Sequence, residues 1–158
     1  MKTVELVRQH AAIKQVIRRT SHEPSTRNFE MMAHWGRYAC VLSSGFVENV
    51  VRHIYGSYLD RAAGSRQSVR FARRHIEKVQ NPKAGKLIEI ATSFDPIWGE
   101  GLQTYLDEDF RGDAINTIMQ NRHLIAHGRN SDISIARVDQ YLSRITEVAE
   151  FLEQQCGI

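Results

Sequence analysis

Two adjacent rows of apolar residues run along one segment of the chain. Leu42, Phe46, Val50, Ile54 and Tyr58 follow one another at four-residue steps, with Val47, Val51 and Tyr55 in a second row beside them. At 100° per residue both rows share one wide face, and a helix covered over so wide an arc belongs at the centre of a bundle. The pattern predicts a helix over 28–63. Gly36, Gly45 and Gly56 interrupt it at about 1 kcal/mol each relative to alanine, which close packing or a kink would explain.

Shorter periodic runs flank this one. Residues 3–19 carry a modest stripe of Val4, Val7, Ala11, Ile13, Val16 and Ile17, and the turn-like stretch 20–26 breaks at Pro24. After a break at Ala63-Gly64, Ser65 is placed to cap a helix over 66–80, with Val69, Ile76 and Val79 inward. Asn81-Pro82 reads as a cap and proline start for a short helix through residue 93, and Asp95-Pro96 as the same device for 97–106. Trp98 is expected to pack on Phe94 or the long helix. Residues 107–113 read as an exposed acidic connector whose last residue, Asp113, caps a helix over 112–127. That helix has Ile115, Ile118, Met119, Leu124 and Ile125 on its apolar side. Ser131 to Ser134 cap a final helix over 135–155, where Ile135, Val138, Leu142, Ile145, Val148, Ala149 and Leu152 keep a regular spacing. The expected fold is all-α: a bundle of about six to seven helices with a four-helix core, one domain over 1–158, in which helix 1–22 is peripheral or part of the bundle.

Composition fits a soluble domain, with 42% hydrophobic and 25% charged residues in 158. No apolar run approaches membrane-spanning length and residues 1–15 lack a signal-peptide core, which predicts a cytoplasmic protein that does not engage a membrane. Cys40 and Cys156 form no CxxC and are expected as reduced thiols, at least one in the core. Net charge is only +3 but unevenly spread. Arg66, Arg70, Arg74 and Lys78 form an i+4 basic ridge, readable either as solvated surface or as phosphate contact.

Candidate chemistry gathers in Asn121-Arg122-His123-Leu124-Ile125-Ala126-His127-Gly128-Arg129-Asn130. Gly128 is placed to end the helix, with Arg129 and Asn130 opening the loop. His123 and His127 share a face, and Arg122 points about 140° from His127. A guanidinium can hold the non-bridging oxygens of a phosphodiester, and an imidazole can move a proton near neutral pH. The competing readings are a pair of histidines complementing the helix macrodipole and a metal pair. Leu124 stands where a zinc-binding H-E-x-x-H needs glutamate, and no third ligand is marked by spacing, so neither metal nor other cofactor is expected. Glu48, four residues from both Ser44 and Arg52, reads as an intrahelical partner of Arg52 or as an auxiliary site residue.

The string NRHLIAHG, with Arg122 and His127 separated by four residues, resembles the R-x4-H signature of the HEPN superfamily. NPKAGKLIEIATSFDPIWGEGL upstream, and SSGFVENVV with Glu48, resemble the matching segments of stand-alone RiboL-PSP-type HEPN domains. The resemblance covers about residues 35–155. It implies an all-α homodimer and, in many members, metal-independent RNA cleavage with Arg122 and His127 as catalytic residues. His123 departs from the more usual Asn or Asp. With Asn121 and Glu48 it is expected as auxiliary, and Arg129, Arg70 and Arg74 as RNA-binding residues. The expected function is an endoribonuclease that uses the RNA 2′-OH and leaves a 2′,3′-cyclic phosphate, in a toxin–antitoxin or phage-defence setting with an antitoxin or regulatory protein as partner. The alternative is a non-catalytic HEPN-like module that binds a protein or nucleic acid.

Overall fold

A computed structural model describes residues 1–22, 29–62 and 64–158, so the turn at Pro24 and the break at Ala63 lie outside the described residues. Among the described residues there are seven helices and no strand: α1 (Val4–His22), α2 (Phe29–Arg61), α3 (Arg66–Glu77), α4 (Ala84–Phe94), α5 (Pro96–Asp107), α6 (Arg111–Ala126) and α7 (Ile135–Gln155). None is long and apolar enough to cross a membrane.

The double apolar row makes α2 the axis. It packs against α1, α6 and α7, which gives a four-helix core, and α3 lies along its other flank. Phe46, Val47, Val50, Val51, Ile54 and Tyr55 are all buried there. The α4–α5 pair covers one end, where Trp98 packs on both Phe94 and Tyr58, with ring centroids 6.2 and 5.0 Å apart. Gly36 meets a close-approach requirement: a Cβ there would overlap the Ile133 carbonyl, where the chain crosses α2 to enter α7.

Several local expectations are corrected. The buried side of α1 is Leu6, Ile13, Ile17 and Thr20, a seven-residue recurrence, while Val4 is 61% and Val7 43% exposed. α4 begins at Ala84 rather than behind a cap at Asn81. Asn81 takes φ 47°, a left-handed conformation that asparagine tolerates, and Lys83 is the N-cap without a side-chain bond. Asn116 Oδ1 accepts from the Ala84 N–H at 3.0 Å in its place. Asp113 does not cap α6; the helix starts earlier, behind Phe110 in the left-handed region. The acidic connector is not wholly exposed either. Arg111 is buried within it, paired with Glu147 at 2.8 Å and Asp109 at 2.9 Å, and its guanidinium lies 4.1 Å from the Tyr105 ring centroid. α3 ends at Glu77, three residues short of the expected end.

Caps at Ser65, Asp95 and Ser134 stand as expected, each side chain accepting an N–H of its helix's first turn. Cys40 and Cys156 are both buried free thiols.

Candidate active site

The last two turns of α6 are seated from behind by apolar packing. Ile115, Ile118 and Met119 are buried against the core. Cys40 of α2 donates its thiol proton to the Ile118 carbonyl at 3.5 Å. Burial pushes this thiol up to about 12, opposed by a hydrogen bond from the Arg122 backbone N–H. The group is therefore a neutral packing element beneath the motif, not a nucleophile.

Beyond His127 the helix stops sharply. Gly128 takes φ 64°, which costs glycine nothing, and two bonds close the turn: Gly128 N–H to the Ile125 carbonyl at 3.1 Å and Arg129 N–H to the Leu124 carbonyl at 2.9 Å. This pair is the Schellman arrangement, and it satisfies carbonyls the helix end would otherwise leave open. Asn121 then ties the outgoing loop back. Its amide nitrogen donates to the Thr117 carbonyl at 2.9 Å, and its oxygen accepts from the hydroxyl of buried Ser131 at 2.8 Å. Asn121 thus ties the helix end to the loop that follows it.

His123 and His127 are exposed on the shared face, with ring centroids 4.4 Å apart and planes inclined at 57°. Arg122 is half-buried, and among the described residues its guanidinium makes no hydrogen bond or ion pair, with either imidazole or with a carboxylate. The contrast with Arg111, paired to carboxylates on two sides, is sharp. One arginine is consumed by the fold; the other is left available.

A groove of about 380 Å³ opens beside the motif, lined by His123, Gln120 and Arg129 from α6 and its loop, and by Asn81 and Lys83 from the α3–α4 connection. Glu48 builds that second wall. Its Oε1 accepts from the Asn81 N–H at 2.8 Å, its Oε2 pairs with Arg52 at 3.3 Å, and Arg52 donates to the Val79 carbonyl at 3.0 Å. Glu48 therefore pairs with Arg52, the intrahelical reading, and also fixes the Asn81 backbone at the groove. Arg70 and Arg74 lie exposed on α3 and do not line the groove. Asn81, which the sequence marks only as a cap, and Lys83 and Gln120 carry no local signal for a site, because the groove forms only when residues some forty positions apart are packed together.

Among the described residues, no three His, Cys, Asp or Glu side chains gather so as to hold a metal ion. No curated protein and no solved structure matches the chain. The model of the RiboL-PSP-HEPN family matches residues 5–157, nearly the whole length of this all-α bundle, and the chain belongs to that family.

Proposed function

We propose that residues 1–158 act as one domain, a metal-independent endoribonuclease of the HEPN type that works as a homodimer on cytoplasmic RNA. The observation that carries this reading is an uncommitted arginine, Arg122, one residue before one exposed imidazole and five before another on a firmly terminated helix. RNA supplies its own nucleophile, so the protein needs neither a nucleophilic side chain nor a metal. His127 takes the 2′-OH proton as the oxygen attacks phosphorus. The P–O5′ bond breaks, a second imidazole protonates the leaving 5′-oxygen, and Arg122 offsets charge on the non-bridging oxygens. The products are a 2′,3′-cyclic phosphate and a 5′-OH.

Two proton transfers favour two motifs facing one cleft. Exposed apolar residues on the N-terminal half of α2, Met31, Tyr38 and Val41, support a second copy docking near the motif helix, since Cys40 of that half packs on the Ile118 carbonyl of α6. A toxin–antitoxin or phage-defence role, with a partner protein holding the nuclease silent, rests on the family resemblance. The test is cleavage of RNA in EDTA by the parent, His127→Ala and Arg122→Ala proteins, with light scattering on each. The reading requires a dimer in every case and cutting by each variant at least about 10²-fold slower than by the parent. A variant that cuts as fast as the parent would return the chain to the class of binding modules.

A further inference from the structure

α3 carries a feature that the motif chemistry does not use. Its inner side, Val69, Ala72 and Ile76, packs on the core. On its outer side Phe71 is 68% exposed, an unusual position for a large ring on a short, strongly basic helix. The His75 ring lies 4.4 Å from it, centroid to centroid, inclined at 50°. The Phe71 carbonyl can only accept, so His75 Nδ1 donates to it at 2.9 Å. That bond fixes the imidazole beside the phenyl ring and turns Nε2 outward. The two rings form the rim of a groove of about 590 Å³, walled by Ala72, Ile76, Ile90 and Phe94.

Lys86 and Glu89 in the groove lining pair with each other, but most cations of α3 are free. Among the described residues Arg66, Arg70, Arg74 and Lys78 have no carboxylate partner, whereas Arg73 is taken by Asp60 and Glu77. On a helix Arg74 lies about 60° from Phe71, and Lys78, two turns on, within about 20° of it. An aromatic pair is thus flanked by cations along one edge and by an apolar groove along the other. From Lys78 the chain continues to Asn81 and Lys83, which wall the groove beside His123. Phe71 to Lys78 rises about 10 Å along the helix.

We propose that Phe71 and His75 form a stacking platform for an unpaired base, with Arg70, Arg74 and Lys78 on the adjoining phosphates. The site makes single-stranded RNA the substrate class of the motif groove, and in that respect rests on the nuclease reading. Stacking is tolerant of base identity because every base has a π-face, and a ring flanked by cations suits a strand whose bases are free. In an A-form duplex the bases are stacked inside and out of reach of a side chain on a convex helix. Charge complementarity selects an anionic occupant, since four free cations on one helix repel a basic partner and oppose burial in an apolar one, and the exposed ring pair favours one that carries planar bases over an acidic helix.

The test is equilibrium binding of a 2′-O-methylated RNA 12-mer carrying 2-aminopurine, which the proposed chemistry cannot cut, to the full chain in EDTA. An unlabelled duplex of the same sequence serves as competitor. The expected result is preference for the single strand, quenching on binding, and roughly 5- to 150-fold weaker binding by Phe71→Ala, the range that loss of one stacked base implies. Phe71→Trp should restore binding. Phe71→Ala should leave the salt dependence unchanged, whereas Arg74→Ala should flatten it by about 0.7 in log–log slope. Because Phe71 is exposed, the melting temperature of Phe71→Ala should match the parent. Parent-like binding by Phe71→Ala overturns the platform, as does equal affinity for the duplex or no binding of RNA by the parent. Loss of binding in Phe71→Ala, with no RNA ever cleaved by the parent, would keep the platform and remove the nuclease.

Discussion

The side-chain oxygen of Asn121 accepts a hydrogen bond from the Ser131 hydroxyl at 2.8 Å, across the loop that leaves the motif helix. Asn121 sits inside the motif and Ser131 is buried, so this bond ties the loop that carries Arg129 back to the motif helix. Asn121→Ala strands the Ser131 hydroxyl, a loss of about 1–3 kcal/mol where a buried partner goes unsatisfied. The expected outcome is a lowered melting temperature and reduced RNA cleavage together. Ser131→Ala should cost less in stability, because it removes the buried hydroxyl itself.

Two arginines of one helix should behave oppositely. Arg111 is buried between Glu147 and Asp109, and removing one partner of a buried ion pair costs about 3–5 kcal/mol. Arg111→Ala should therefore lower the melting temperature by many degrees, toward the small end of that range because its carboxylate partners reach solvent. Arg122→Ala removes no hydrogen bond or ion pair and should leave thermal unfolding near the parent's. Differential scanning calorimetry of both variants checks the contrast, and equal destabilisation would mean that Arg122 is structural.

The N-terminus of α1 is tied to α7 by a titrating group. Glu153, 2% exposed, accepts from the Lys2 and Thr3 N–H groups at 2.7 Å each. Burial alone would raise this carboxyl, but the Thr3 and Lys2 bonds outweigh it and hold it below its ordinary value of 4.5. A carboxyl depressed in the folded state stabilises above its unfolded value and loses that contribution as pH falls through the folded one. Glu153→Gln should be less stable than the parent at pH 7, and the difference should shrink below about pH 4. A difference in melting temperature that stays constant with pH would contradict the assignment.

Glu48 holds the Asn81 N–H at the groove, so its expected effect on cleavage runs through that segment. Glu48→Ala should raise KM for RNA as the groove wall loosens, while the single-turnover rate at saturating RNA stays close to the parent's. A fall in that rate with unchanged KM would place Glu48 in the chemistry instead.

These relationships also show where sequence pattern stops being informative. α7 was legible to the residue because Ser134 caps it and its apolar spacing is regular, so local and tertiary preferences agree. The double row of α2 predicted its central place for the same reason. α1 was misread because it offers apolar residues on more than one side. Packing on α2 and α7 selects Leu6 and leaves Val4 and Val7 outside, a choice no local spacing encodes. The start of α6 depends on Arg111 finding Glu147, thirty-six residues away, which local capping rules do not see. At the candidate site, the helix end and the shared face of His123 and His127 could be read from Gly128 and a four-residue step. The wall at Asn81 and Lys83 could not, since it depends on Glu48 reaching across from α2.

Residue-level chemistry separates the motif positions from one another. His127→Ala should lower the cleavage rate by about 10²–10⁴-fold, the usual contribution of general acid–base catalysis. Arg122→Ala should lower it by about 10²–10³-fold, as when one donor to a developing oxyanion is lost. His123→Asn should keep substantial activity, and Arg70→Ala with Arg74→Ala should weaken RNA binding without altering the chemistry of bound RNA. Quantified gel assays under single-turnover conditions distinguish these outcomes.

The most direct measurement is cleavage, in EDTA, of a defined RNA beside the same RNA with one 2′-deoxy substitution at the scissile nucleotide, with product ends identified by mass spectrometry. The account predicts that the all-ribo strand is cut to a 2′,3′-cyclic phosphate and a 5′-OH, and that the deoxy position is not cut. Cutting at the 2′-deoxy position, or cutting that appears only when a divalent metal is added, would contradict it.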